Sequence, residues 1–204
     1  HNNILQDRLD VKTFNETQIY SVRIKLPAQF VSIKEKIVYK LLKDIKTDLP
    51  KSFIYAQIKY HSGLNMYARD KSSFGLLAIE PIKMGIYTYH KQYGNYRFLD
   101  MGYFYDFYNN LNLGILHFES LFDELGQIED VISKIYLVSL VYKYNYEEIF
   151  KAFEVTNTSE LVREVNKKNN TRVYKILMKK IKNKKIRNYL FRIAQEMLKY
   201  KQTQ

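Results

Sequence analysis

Residues 52–91 read SFIYAQIKYHSGLNMYARDKSSFGLLAIEPIKMGIYTYHK, and the fold turns on whether their apolar side chains are placed on strands or on helices. Apolar and polar residues alternate over 52–60, 65–69, 74–80 and 85–91. Many of the apolar types are aromatic or β-branched, which favours half-buried strands. Turn chemistry separates the runs at Ser62-Gly63, Asp70 to Ser73, Pro81 to Met84 and Tyr93-Gly94-Asn95. Connections this short pair neighbouring strands antiparallel, as a meander.

Upstream, QIYSVRIKL (18–26) alternates in the same way and is closed by Pro27. Ser32 and Glu35 make a capping box for an amphipathic helix over 32–47, with Ile37, Val38, Leu41, Leu42 and Ile45 on one face. This order predicts an α+β fold, an N-terminal antiparallel sheet covered by a helix. Downstream of about residue 100 the period lengthens. Tyr103 to Asn110, ILHFESLFDEL (115–125) and 128–143 read as helices, followed by further helical segments to Tyr200. The composition shifts near Gly126 without a flexible linker, which divides the chain into a body at 1–126 and a basic helical part at 127–204 packed on it.

The chain has 204 residues, 46% of them hydrophobic, enough to build a core, and a net charge of +12. It has no Cys, so it has neither disulfides nor thiolate metal sites. No apolar run approaches the roughly 18 to 20 residues that cross a bilayer, and the polar start His1 to Asp10 does not read as a signal peptide. These features predict a cytoplasmic protein without membrane contact. The charge is segregated: residues 167–204 hold 13 Lys and Arg against the single acid Glu196, while residues 1–166 balance.

That basic segment falls into two stripes. Val173, Ile176, Leu177 and Ile181 share one face, with Lys175, Lys179 and Lys182 opposite; Ile186, Tyr189, Leu190, Ile193 and Met197 form the second. Both read as docked helices that hold their cations outward, a surface on which phosphates could displace counterions. The expectation is therefore a nucleic-acid partner, DNA ahead of RNA, and a non-enzymatic regulator, replication or partition protein. A homodimer through the body is compatible with this. An adaptor for an acidic protein is the third reading.

Residues 134–168, KIYLVSLVYKYNYEEIFKAFEVTNTSELVREVNKK, link the two parts. An apolar helix runs into a Tyr-Glu-Glu-Ile opening, Val155-Thr156-Asn157 turns the chain, and Thr158 or Ser159 caps a further helix. The stretch resembles a helix-turn-helix unit of the kind found in region 4 of sigma factors. The resemblance implies that Thr156, Asn157, Thr158, Ser159 and Arg163 lie near base edges. Lys167, Lys168, Arg172, Lys175, Lys179, Lys182, Lys184 and Lys185 would then hold phosphates.

The alternative is a metal-dependent nuclease or RNA-processing enzyme with its site on the sheet. Asp70, Glu80 and Lys83 resemble the PD-(D/E)xK arrangement, which would use Mg²⁺, although three residues rather than two separate the acid from its Lys. Gly85-Ile86-Tyr87 with Tyr93-Gly94 resembles a fragment of the GIY-YIG signature, which would nominate Arg97 and Glu119. Metal-independent RNA cleavage would use His61 or His90 as general acid or base. No pair of His at i, i+4 offers a metal site, so outside the nuclease reading no metal and no cofactor is expected.

Overall fold

The computed structural model describes residues 33–203, and about 70% of them are helical. The elements run α1 (Ile33–Asp44), α2 (Lys51–Ser62), β1 (Arg69–Asp70), β2 (Ser73–Phe74), a π-helical turn (Pro81–Ile86), α3 (Tyr87–Tyr93), α4 (Met101–Tyr105), α5 (Phe107–Glu124) and α6 (Val131–Tyr144). They continue through α7 (Glu147–Phe153), α8 (Thr158–Asn166), α9 (Asn170–Lys180) and α10 (Lys184–Thr203). The strand expected at 18–26 and the cap residue Ser32 lie outside the described residues.

The α+β expectation is therefore corrected to a mostly helical fold. The sheet among the described residues is a hairpin of two residues per strand, with Arg69 opposite Phe74 and Asp70 opposite Ser73. The decisive misreading is residues 52–60, which form α2. Every residue from Ser52 to Ile58 is buried there, so the helix has no polar face and no 3.6-residue stripe to announce it. Its ends are nonetheless written in the chain. Pro50 precedes its first turn, and Gly63 closes it in the left-handed region at φ 58°.

α2 is the central helix. Phe53 meets Phe118 of α5 with ring centroids 4.9 Å apart, and Tyr55 lies 4.9 Å from Tyr39 of α1 and 5.2 Å from Tyr200 of α10. The buried amide of Gln57 is fully employed, its Nε2 donating to Ser139 Oγ of α6 at 3.0 Å while its Oε1 accepts from Tyr189 Oη of α10 at 2.8 Å. Two polar bonds thus fix the register of three helices inside an apolar core. One hydrophobic cluster takes residues from α1 through α10.

The apolar run 74–80 is also largely buried; Phe74 and Ile79 exchange one pair of backbone bonds, and side chains hold the rest. Asn110 of α5 donates from Nδ2 to the carbonyls of Phe74 (2.9 Å) and Phe104 (2.8 Å), and its Oδ1 accepts from the Leu77 amide at 3.0 Å. Tyr142 of α6 donates its hydroxyl to Leu77 O at 2.5 Å. Gly75 has φ +77°, and a Cβ there would sit 2.2 Å from Asn110 Nδ2, so only glycine admits the clamp. The strand expected at 85–91 is instead the end of the π-helical turn and most of α3.

In the C-terminal part the second expected stripe is buried whole, while in the first Ile176 is only half-buried, like Lys175 on the face expected to be charged. Val173, Leu177 and Ile181 are buried, as are Ile186, Tyr189, Leu190, Ile193 and Met197. Helices α7 and α8 are joined at Glu154, which adopts φ 58° where a glycine would sit without strain. Among the described residues no helix is long and apolar enough to cross a membrane.

Candidate functional site

Three distant pieces of chain converge at the carboxyl end of α2. They are Tyr60 and His61 on its last turn, Tyr142 to Tyr144 closing α6, and Tyr189 with Arg192 on α10. Lys143 is the hub. Its Nζ lies 4.6 Å from the ring centre of Tyr60, 5.4 Å from Tyr189 and 5.9 Å from Tyr144, an aromatic cage around an ammonium group. Burial lowers the Lys143 pKa, and the negative charge of Asp70, on the exposed β1 strand, pushes the other way.

His61 lies behind this layer. Its ring packs edge-on against Tyr60 and Tyr142 and tilted against Tyr189, and Nε2 is enclosed without a hydrogen-bond partner among the described residues. Burial, reinforced by the Lys143 charge, brings its pKa down to about 3, so the ring is neutral at physiological pH. Burial also raises Tyr60 and carries Tyr144 to about 12, keeping both phenols protonated. A second, shallower grouping adjoins it. His90 stacks on Tyr96 at 3.7 Å, and His117, whose pKa burial lowers to about 4, sits 3.2 Å from Thr88 Oγ1.

The stretch 67–98 exposes large rings: Tyr67, Tyr87, Tyr93, Tyr96 and Phe98 are all more than half accessible. Toward the other end of α2, an open cleft of about 570 Å³ is lined by Asp48, Glu119, Asp123 and Lys134 among others. Thr47 donates its hydroxyl to Glu119 there, at 2.6 Å.

The residues expected to act together on a sheet are not brought together as expected. Asp70 is on the hairpin, while Glu80 precedes the π-helical turn and reaches Lys83 at 3.6 Å one helical turn on. His90 belongs to α3. Gly85-Ile86-Tyr87 and Tyr93-Gly94 run from within the π-helical turn to the end of one short helix, so neither half lies on a strand. Among the described residues no group of three His, Asp or Glu could hold a metal ion.

The residues nominated as base readers are engaged locally. Asn157 caps α8, accepting from the Glu160 amide at 2.9 Å, and the Thr156 amide and hydroxyl donate to the Glu160 carboxylate at 2.8 and 3.0 Å. Thr158 is half-buried, and Ser159 and Arg163 are exposed on α8. Lys167 and Lys168 both reach Glu164, at 2.7 and 2.9 Å. Arg172, Lys179, Lys182, Lys184 and Lys185 are exposed, and Lys175 is half-buried.

No protein-family model matches the chain. It is similar to a membrane-bound lytic murein transglycosylase C of Haemophilus ducreyi, with 26% identity over 202 residues. The match takes in 97% of this chain but 54% of that protein, so the chain spans about half of its relative's length. This likeness overturns the nucleic-acid expectation, and with it the DNA-binding use of α7 and α8, the nuclease and RNA-cleaving alternatives and the acidic-protein adaptor. The physical error was to read charge sign as ligand identity, since a cationic face attracts any polyanion. The cytoplasmic expectation without membrane contact is corrected on the same ground, because the relative is described as membrane-bound.

The sequence alone nominates His61 as an acid or base and places Tyr189 on an apolar stripe, but it does not bring them together with Gln57, Tyr142 and Lys143. One signal was present, the run Tyr142-Lys143-Tyr144 at the end of an apolar helix. Its partners lie far away in sequence, with Gln57 and Tyr189 separated by 132 positions.

Proposed function

We propose that the protein acts on murein glycan, breaking glycosidic bonds at the corner where α2, α6 and α10 meet the β1–β2 hairpin. The observation that carries this reading is the likeness over 97% of the chain, which takes in every segment that builds the corner. The relative's membrane-bound description supports a place in the cell envelope.

Glycosidic cleavage needs a proton on the leaving-group oxygen and negative charge near the positive sugar carbon that develops. Lys143 is assigned as the proton donor: its lowered pKa makes the ammonium a stronger acid than a free lysine. Asp70, exposed at the hairpin and electrostatically coupled to Lys143 and Tyr60, is assigned the carboxylate that faces the developing cation; a hydroxyl, from water or from the sugar itself, then adds to that carbon and returns its proton to the Lys143 amine. His61 Nε2 is enclosed and the ring is neutral, so it is assigned to supporting the cage and not to proton transfer. Tyr67, Tyr87, Tyr93, Tyr96 and Phe98 offer ring faces on which the apolar faces of sugar rings can stack.

The test is incubation with purified murein sacculi, followed by chromatography of the soluble fraction and assay of protein in the pellet. The reading expects pelleted protein and released glycan fragments, with release abolished in Lys143→Met and Asp70→Asn. Protein that neither pellets with sacculi nor releases fragments would overturn it.

A further inference from the structure

Apart from Arg192, the cationic excess of the C-terminal segment has no part in the corner just described, and it is densest where α9 turns into α10. Lys179, Lys180, Lys182, Lys184 and Lys185 occupy five of seven consecutive positions and are all exposed. The next acid along the chain is Glu196. Among the described residues the only one of the five in an ion pair is Lys180, which reaches the exposed Glu154 at 2.7 Å. A pair this open to water offsets little of the local field.

The turn that carries these lysines is fixed. Ile181 and Ile186 are buried on either side of it, at 2% and 3% exposure. The Arg187 guanidinium donates to the carbonyls of Ile181 and Lys182, and Asn183 Oδ1 accepts from the Lys185 amide at 2.9 Å. With both isoleucines turned inward, the corner has cations to offer and no free aliphatic side chain between them.

We infer that this α9–α10 corner docks the protein on an anionic lipid surface, with headgroup phosphates as its ligands. The five lysines lie within one short helix-to-helix connection, so their charges are held close together on the surface. Inward isoleucines make the contact electrostatic, without insertion into acyl chains. The inference rests on the murein reading only in placing the protein in the envelope, where such a surface is within reach.

The full chain and the variant K182Q/K184Q/K185Q are each mixed with vesicles of phosphatidylglycerol and phosphatidylcholine, with vesicles of phosphatidylcholine alone, and with sacculi, then sedimented. Each lysine near an anionic surface strengthens binding by about five-fold, so the triple variant should bind anionic vesicles on the order of a hundred-fold more weakly. Wild-type binding should fall steeply with added salt, while phosphatidylcholine alone recovers neither protein and sacculus recovery stays equal. Equal binding of wild type and variant to anionic vesicles, or equal binding of wild type to both vesicle types, overturns the inference. So does a variant that loses sacculi but keeps vesicles, which would assign the corner to the acidic groups of murein. Wild type that binds anionic vesicles but neither pellets with sacculi nor releases fragments from them upholds the corner and refutes the murein reading instead.

Discussion

Acidification should destabilise this protein through two histidines before its carboxylates titrate. His61 and His117 are held at about 3 and about 4, both by burial first, with the nearby charges of Lys143 and Lys91 acting in the same direction. In the unfolded chain each returns to about 6.5. Both folded values lie below the unfolded one, so the neutral rings favour folding. That contribution is present in full above about pH 6.5 and is lost as pH falls toward the folded values. The loss is about 1.4 kcal/mol per pH unit per histidine inside the window, hence about 2 kcal/mol each between about pH 7.5 and about pH 5.0. Together this is about 4 kcal/mol, a large part of a typical folding free energy. Glu164, held at about 2 by Lys167 and Lys168, titrates below this range. Urea denaturation followed by circular dichroism at the two pH values measures the difference. The double variant H61Q/H117Q should reduce it to less than about 1 kcal/mol, whatever its absolute stability. A wild-type difference already that small would refute the assignment of two buried neutral rings.

Asn110→Ala should lower stability by about 3 to 5 kcal/mol, because the Phe104 carbonyl and the Leu77 amide lose their partner inside the core and the Phe74 carbonyl keeps only the Ile79 amide. For a chain of this size that is roughly 6 to 20 °C in Tm by scanning calorimetry, and a shift of a degree or two would contradict the clamp. Lys143→Met keeps the side-chain length and much of the packing within the Tyr60, Tyr144 and Tyr189 cage. It should abolish glycan release from sacculi while leaving Tm within a few degrees, and undiminished release would remove Lys143 from the chemistry.

The elements visible in the sequence are those that stand at an interface between core and water. α9 and α10 each bury one stripe, so their period of 3.6 survives in Val173, Leu177, Tyr189 and Ile193. α2 is enclosed by α1, α5, α6 and α10, which erases that period and leaves an apolar run that also fits a strand. Length could have arbitrated, since the 12 residues between Pro50 and Gly63 make a helix of about 18 Å but an unusually long strand. Residues 74–80 mislead for another reason. Beyond one local bridge between Phe74 and Ile79, their backbone groups bond to Asn110 and Tyr142, partners that no local pattern predicts. The Lys143 cage depends wholly on tertiary convergence, because its rings come from α2, α6 and α10.

Incubation with purified sacculi tests the central claim most directly, with soluble glycan fragments resolved by chromatography against a no-protein control. The account predicts fragments that accumulate with time and disappear in Lys143→Met. Sacculi that stay intact and leave the protein in the supernatant would contradict it.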